Sequence, residues 1–378
     1  MGFDWLSDEN IVLMNPRFPA SDQKKLREML QNEPDLKGHI CLATSGSSQG
    51  SKGFPKWVLL AKEGVLHSAA AVNEHLAVSA EDRWIHALPD FHVGGLGIWA
   101  RSWLSHSSVS VFAERWNPQI FCQFVKVEKG TLAALVPTQI FDLVACALPP
   151  PKSLRAIVVG GGKLHEGLYA KARELGWNLL PSYGLTECAS QVATAPLSSL
   201  AEAKYPQLTI LPHVKAEIRN EKITLASHSL LTAYILKTEQ GIQRIDPKVN
   251  GIFQTEDRGI IDEETLIPLG RTADFFKVSG ENVDFSRLEA LLETAKMACM
   301  INGEAVLVAW PDARLGHAVH LVLEPGISSP EALISHFNAS VMPYERIRAV
   351  HVVSQIPRSA LGKLLRQELN EILARSSP

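Results

Sequence analysis

Apolar positions along this chain change their spacing twice, and the changes mark out its layers. Gly38 to Ala43 (GHICLA) is a short apolar run bounded by turn-formers, as expected of a buried strand, and Ala61 to Ser79 has helical character. From Trp84 to Leu175 the pattern alternates. Strand-like runs at 84–88, 108–112, 131–136 and 154–159 are separated by helix-like runs at 96–104, 118–127, 138–147 and 166–175. That rhythm predicts βαβ units and a mainly parallel sheet. From Leu208 onward short strand-like runs, LTIL, VKAEIR, KITLA, LLTAYIL and GIFQT, predict a smaller and mostly antiparallel layer. Beyond Gly270 lies a compact mixed segment, with helices expected at 286–296, 330–340 and 364–374 and strands at 305–309, 319–323 and 349–353. Near the start, a helix at 21–31 is expected, capped by Ser21 or Asp22. A boundary between Gly270 and Asp274 would give domains 1–270 and 271–378.

Composition narrows the class. With 37 Lys and Arg against 40 Asp and Glu, the net charge is -3, and no global basic field argues for nucleic acid. The 46% hydrophobic and 20% charged content is that of a globular protein with a sizeable core. Five scattered cysteines, Cys41, Cys122, Cys146, Cys188 and Cys299, form no CxxC, so neither a disulfide framework nor a zinc site is suggested, and a reducing cytoplasm fits. The N-terminal MGFDWLSDENIVLM carries acids where a signal peptide carries bases, and no apolar run reaches the length of a membrane span. A soluble, cytoplasmic protein is expected.

Chemistry is concentrated in a few short stretches. Thr44 to Lys56, TSGSSQGSKGFPK, combines hydroxyls, glycines and lysines. Glycine lets backbone N–H groups approach phosphate oxygens, hydroxyls add donors and a lysine supplies a point charge. A flexible surface loop is the bland alternative. The stretch is not a Walker A loop, because Ser51 separates Gly50 from Lys52 and Gly53 follows. Gly46-Ser47-Ser48-Gln49-Gly50 matches the GxSxG elbow of serine hydrolases, yet Gly53 and Pro55 oppose a helix directly behind Ser48. Further along, SYGLTEC (182–188) offers an aromatic face for a purine, a hydroxyl for phosphate and a carboxylate for Mg²⁺, or simply a capped polar turn. Gly160-Gly161-Gly162 lacks the spacing of a dinucleotide fingerprint, since His165 stands where glycine is needed, and leaves a bare backbone surface or a tight strand exit. Asp257 and Arg271 could serve ribose hydroxyls or be an ordinary acid and base on neighbouring loops. His92 in LPDFHVGG is either packed and hydrogen-bonded or catalytic, and Lys363 in IPRSALGKL is either solvated or catalytic.

Order and spacing together are more telling. TSGSSQGSKGFPK, LPDFHVGG, VVGGGKL, SYGLTE, TEDRG, GRTADFFKVSGENV and IPRSALGKL follow one another as in the adenylate-forming acyl-CoA synthetase superfamily, which the chain resembles from about residue 38 to 375. Within it, LVPTQ (135–139), FHVGG, YGLTECAS and PRSALGKLLR look most like o-succinylbenzoate-CoA ligases of menaquinone biosynthesis. The resemblance implies an α/β fold: a large multi-sheet adenylating domain with a shortened N-terminus, and a small, mobile α+β C-terminal domain. It also implies an AMP-forming acid-thiol ligase using ATP, Mg²⁺ and coenzyme A on a small carboxylic acid. A nearby aryl- or acyl-CoA ligase, or a non-catalytic nucleotide-binding relative, is the alternative.

By the same resemblance, Thr44, Ser45, Gly46, Ser47, Ser48 and Gly50 would wrap the β and γ phosphates, with Lys56 as loop lysine. Tyr183 and Gly184 would lie at adenine near Gly160, Gly161 and Gly162. Thr186 would contact phosphate, Glu187 would hold Mg²⁺, and Asp257 and Arg271 would take the ribose. His92 would border the acyl site. Lys363 would reach the carboxylate and α-phosphate, and Gly280, in Ser279-Gly280-Glu281, would approach pantetheine after rotation about a hinge at Ala273.

Three departures qualify this picture. Four residues are inserted in the glycine loop, so Lys52 competes with Lys56. Asp142, in PTQIFD, is an acid that would repel a second substrate carboxylate. Only 43 residues precede Thr44, fewer than in relatives, which leads to the expectation of a homodimer covering an exposed face.

Overall fold

A computed structural model describes residues 3–16, 20–31, 33, 35–43, 56–238, 241–271, 275–278, 281–301, 303–312, 314–327, 329–359, 362 and 364–376. The chain folds into two units, one of 1–255 with 260–267 and the other of 256–259 with 268–378.

The first unit begins with β1 (Ile11–Leu13), α1 (Ala20–Gln31), β2 (His39–Ala43), β3 (Trp57–Ala61) and α2 (Lys62–His75). Alternating strands and helices follow: β4 (Arg83–His86), α3 (Val93–Ser105), β5 (Ser108–Val111), α4 (Pro118–Glu128), β6 (Leu132–Leu135), α5 (Pro137–Ala145), β7 (Ala156–Val159), α6 (Glu166–Glu174) and β8 (Leu179–Leu185). Strands β5, β4, β6, β7 and β8 are consecutive neighbours and all parallel, as the alternation requires. Ile85, Leu135, Ile157, Val159 and Leu179 face Phe121 and Val125 of α4, Ile140 and Leu143 of α5, and Leu168 and Tyr169 of α6 in one buried cluster. Burial of each such side chain stabilises by about 1.5–3 kcal/mol. On the opposite face α3 lies over Trp84 and His86 and packs on α2.

Next come β9 (Ser190–Thr194), β10 (Leu208–Ile210), β11 (Lys215–Arg219), β12 (Lys222–Ala226), β13 (Ala233–Thr238), β14 (Gly241–Ile245), β15 (Phe253–Asp262) and β16 (Thr265–Arg271). The sheet that contains the parallel strands runs in the order β11-β12-β15-β16-β10-β9-β8-β7-β6-β4-β5, turning antiparallel at β9. A separate sheet has the order β1-β2-β3-β13-β14.

The second unit holds β17 (Phe275–Val278), β18 (Glu281–Asp284), α7 (Phe285–Ala298), β19 (Ala305–Asp312), β20 (Gly316–Leu323), α8 (Pro330–Ala339), β21 (Ile347–Val352) and α9 (Arg366–Ser376). Leu288, Leu292, Leu333 and Phe337 of α7 and α8 bury one sheet face with Leu307, Val319 and Leu321. Leu369 and Leu373 of α9 bury the other with Val306, Val308 and Val322.

Two expectations are corrected. The segment after the glycine loop is a strand before it is a helix: WVLLA forms β3, antiparallel to β2 with Ala43 opposite Trp57. Residues 44–56 therefore join two strands of a hairpin, which removes the strand-to-helix geometry that both a Walker A loop and a hydrolase elbow at Ser48 require. LLTAYIL does not join the antiparallel layer formed by its neighbours in sequence. As β13 it pairs with β3, Tyr234 opposite Val58, in the separate sheet.

Candidate active site

Four of the motifs meet along one edge of the parallel sheet. LPDFHVGG follows β4, LVPTQ follows β6, VVGGGK follows β7 and SYGLTE closes β8, and these strands are adjacent in the order β8-β7-β6-β4. Loops at the carboxyl ends of parallel strands are where open α/β sheets place ligands.

At β7 the chain leaves with Gly161 at φ 77°, and Gly161 and Gly162 are exposed backbone. Ser182 Oγ donates to the Val159 carbonyl at 3.0 Å, tying β8 to this exit. Half-buried Tyr183 follows on β8. At Gly184 the β8–β9 register shifts, and a Cβ there would stand 2.1 Å from the Ser190 carbonyl oxygen. Only glycine permits that approach. The bulge carries the chain into a 3-10 turn, Thr186–Cys188.

Glu187 of that turn is the centre of a small polar cluster. Lys56 Nζ lies 3.5 Å from Glu187 Oε1 and 4.0 Å from the centroid of the Tyr234 ring, while Tyr234 donates its hydroxyl to Glu187 Oε1 at 2.9 Å. Because β3 and β13 are paired, the strand that carries Lys56 at its head also brings Tyr234 to the carboxylate. Leu231 N–H donates to the Glu187 carbonyl at 2.8 Å and fixes the turn. A carboxylate oxygen of this kind suits Mg²⁺, which binds through one or two carboxylates together with nucleotide phosphates. Among the described residues no three His, Cys, Asp or Glu side chains form a metal cluster.

The β4 loop supplies the other half. His86 Nε2 is 3.0 Å from Asp90 Oδ1 and 3.2 Å from the Gly95 carbonyl, two acceptors, so this nitrogen carries the proton. Trp99 Nε1 donates to the same Asp90 oxygen at 2.7 Å. These bonds, His86 first, hold the Asp90 carboxyl below the usual carboxylate range. His92 stands at the head of α3 with its pKa lowered to about 4 by burial. Its Nε2 is buried and has no partner among the described residues.

Arg101, two turns into α3, was not singled out from the sequence. The residue is only 2% exposed, and burial lowers its pKa to about 10. Nη2 reaches Ser190 Oγ at 3.3 Å and the guanidinium lies 5.4 Å from the Trp84 ring centroid. Among the described residues Nε and Nη1 have no partner, and no carboxylate is paired with this charge. A basic residue in WARSW reads as the solvated side of a helix. Only the packing of α2 and β9 around it shows otherwise.

Asp142, expected to repel a second carboxylate, accepts from Trp116 Nε1 at 2.7 Å in the layer between α4 and α5. Asp257 lies in β15 and Arg271 ends β16, both in the second unit. Thr44, Ser45, Gly46, Ser47, Ser48, Gly50, Lys52, Ala273, Gly280 and Lys363 lie outside the described residues. No described helix is long and apolar enough to cross a membrane.

The chain is similar to known proteins over most of its length. The chain is 28% identical over 344 residues to the 2-succinylbenzoate--CoA ligase of Lactococcus lactis, covering 89% of this chain and 71% of that protein. To the enzyme of the same name from Bacillus velezensis it is 29% identical over 343 residues, covering 87% and 69%. Among solved structures, the o-succinylbenzoate CoA synthetase (MenE) of Bacillus subtilis in complex with the acyl-adenylate intermediate OSB-AMP superposes with a TM-score of 0.72 at 26% identity, covering 87% of this chain and 68% of that one. Residues 40–225, which contain the glycine loop, the four strand-end motifs, Lys56 and Glu187, match the model of the AMP-binding enzymes.

Proposed function

We propose that the chain is an ATP-dependent acid-thiol ligase that converts o-succinylbenzoate to o-succinylbenzoyl-CoA by way of an acyl-adenylate. The observation that carries the substrate is Arg101. o-Succinylbenzoate has two carboxylates, of which one reacts and the other must be held. A buried guanidinium without a counter-ion is costly unless an anion completes it. Arg101 supplies two unengaged donor nitrogens on the helix that begins beside His92.

In the first half-reaction the substrate carboxylate oxygen attacks the α-phosphorus, the bond to the β-phosphate oxygen breaks and pyrophosphate leaves. Two anions must approach one another, so the work is mainly positioning and electrostatic stabilisation. Lys56, close to Glu187, is placed to turn from the carboxylate to a phosphate oxygen once nucleotide arrives. Mg²⁺ held by Glu187 would neutralise phosphate charge there. Neutral His92 can donate to or accept from the acyl carboxylate without adding charge. In the second half-reaction the thiol sulfur of coenzyme A attacks the acyl carbon, AMP leaves with the bonding pair and the thiol proton passes to solvent.

The remaining roles belong to the same proposal. The glycine loop wraps the terminal phosphates, Tyr183 lies on the adenine against Gly161 and Gly162, and Thr186 donates to phosphate. Asp257 and Arg271 hold the ribose, and Lys363 acts in adenylation only. Domains 1–270 and 271–378 alternate about Ala273 to bring Gly280 to the pantetheine arm.

Hydroxylamine trapping with pyrophosphate release, run over a panel of mono- and dicarboxylic aryl acids, tests this reading. Turnover selective for o-succinylbenzoate is expected. Selectivity for a monocarboxylic acid transfers the assignment to another acyl-CoA ligase, and ATP binding without release from any acid removes catalysis altogether.

A further inference from the structure

Ahead of β1, residues 3–8 fold back on the rest of the first unit, and a buried charge holds them there. Lys62 opens α2 and is only 3% exposed. Its Nζ donates to the Asp4 carbonyl at 2.7 Å, the Ser7 carbonyl at 3.0 Å and Ser7 Oγ at 2.9 Å. An ammonium has three N–H groups, and these three acceptors all lie in the turn. A lysine is almost never buried unless its donors are met. Any slip of the turn would leave a buried donor without an acceptor, so the clamp selects one register. Asp4 Oδ1 accepts from the Leu6 and Ser7 N–H groups, both at 3.2 Å, and shapes the turn from within. Backbone bonds close its far side. Gly38, at φ 64°, donates its N–H to the Asp8 carbonyl and accepts from Lys62 N–H, both at 2.8 Å.

The clamped turn carries two aromatic rings with different partners. Trp5 is buried and anchors the turn in the fold. Half-buried Phe3 lies 5.5 Å from the Trp5 ring centroid and reaches Trp99 of α3, 6.4 Å away between centroids and at 64° between planes. Ring pairs at this spacing and tilt attract one another. Trp99 is the residue whose indole N–H holds Asp90, and its ring lies 5.2 Å from that of His86, which bonds the same Asp90 oxygen. Asp90 belongs to the loop that closes with His92 N–H donating to the Pro89 carbonyl at 3.0 Å. Contacts therefore run without a gap from Lys62 through residues 3–7 and Trp99 to Asp90 and the loop that ends at His92.

We infer that residues 3–8, clamped by Lys62, position the loop at 89–92 for the carboxylic acid, with Phe3 and Lys62 as positioning residues that touch no substrate. The inference rests on the reading that His92 borders the acyl group, and it gives acid affinity a determinant outside the strand-end motifs. Without Phe3, the Trp99 indole is free to turn away and Asp90 loses a donor. The acid must then order the loop as it binds, which weakens its affinity. Lys56, Tyr234 and Glu187 share none of these contacts, so nucleotide binding is left alone.

Two readouts on the full chain test this: KM for the acid against KM for ATP in pyrophosphate release, and amide hydrogen exchange across 88–96. Phe3→Ala should raise the acid KM by about threefold to tenfold, the contribution of one ring pair, with kcat and the KM for ATP unchanged. Exchange at 88–96 should quicken by a similar factor while β6 and β7 keep their parental rates. Phe3→Tyr keeps the ring and should restore both readouts. Leu6→Ala, at a 78% exposed position in the same turn, should match the parent. Lys62→Met should act in the same direction as Phe3→Ala and more strongly, with a lower melting temperature. Parental acid KM and parental exchange in Phe3→Ala would overturn the inference, as would an equal rise in both KM values, the mark of general loosening. If the parent turns over no acid, the reading of the acyl site fails, and exchange alone decides the clamp: faster exchange at 88–96 in Phe3→Ala supports it, and unchanged exchange overturns it.

Discussion

The two ends of the parallel strands treat their charges in opposite ways. At the amino ends Asp82, just before β4, accepts from Arg155 Nε at 2.8 Å and Nη2 at 2.9 Å, from Thr131 Oγ1 at 2.7 Å and from Ser79 N–H at 3.0 Å. Arg155 also donates to the Leu76 carbonyl at 2.9 Å, and Thr131 accepts from Arg83 N–H at 2.9 Å. Three strand starts are thereby tied together, and the carboxylate is fully engaged. On the other side, His92 Nε2 at the head of α3 and Arg101 Nε and Nη1 further along it are buried atoms with no partner among the described residues. One end has completed its polar groups for the sake of the fold. The other leaves nitrogens that a ligand would complete.

The sharpest way to break this contrast is at Glu187. Glu187→Gln keeps the shape and the bond from Tyr234 but removes the charge that faces Lys56. ATP–pyrophosphate exchange should fall by about a thousandfold, as for loss of one preorganised electrostatic contact. A change below tenfold would make the cluster an ordinary surface ion pair.

Arg101→Met comes next. Loss of charge-assisted hydrogen bonds of about 1.5–3 kcal/mol should lower kcat/KM for o-succinylbenzoate by about a hundredfold and leave monocarboxylic acids almost untouched. Stability should hold or rise, because no buried carboxylate is orphaned by the change. A steep loss of melting temperature, with selectivity intact, would show that Arg101 serves the fold as Arg155 does.

The amino end should answer in the opposite sense. Asp82→Asn should lower stability by about 2–3 kcal/mol, the lower end for a buried pair because Arg155 is one-third exposed, and should spare the acid preference. Burial alone would raise the Asp82 pKa, but Arg155, Thr131 and Ser79 outweigh it and hold the carboxyl below its ordinary value. A depressed folded pKa gives stability that is complete above the unfolded value, about 3.9, and lost as pH falls through it toward the folded one. Acid titration of the melting temperature below pH 4 should therefore be shallower in Asp82→Asn than in the parent.

The contrast also explains what could be read in the sequence. The parallel half was legible because each strand and helix there has its own period and its own breakers, and the glycines and carboxylates at the strand ends sit in short contiguous motifs. β3 was hidden because WVLLA runs into α2 with no break, Ala61 ending the strand and Lys62 opening the helix. Arg101 was hidden because burial depends on α2 and β9, distant in sequence. The indole partner of Asp142 was hidden for the same reason: Trp116 lies on the far side of α4. Charges in local motifs declare themselves, whereas charges defined by long-range packing do not.

Tyr234 is the most hidden member of the site and gives the finest test. Within LLTAYIL it is one more aromatic residue in a strand, and only the pairing of β13 with β3 brings its hydroxyl 2.9 Å from Glu187 and its ring under Lys56. Tyr234→Phe keeps the ring and removes the hydroxyl. Loss of one hydrogen bond to a carboxylate, about 0.5–1.5 kcal/mol for a pair in contact with water, should slow pyrophosphate exchange about threefold to tenfold with no change in the preference among acids. Tyr234→Leu also removes the face that steadies the lysine and should cost about as much again. If both variants match the parent, Lys56 and Glu187 hold their positions unaided, and the cluster at the head of β3 is looser than the closed network around Asp82. If the acid preference shifts instead, the tyrosine borders the acyl group and the two halves of the site are closer than the separate loops suggest.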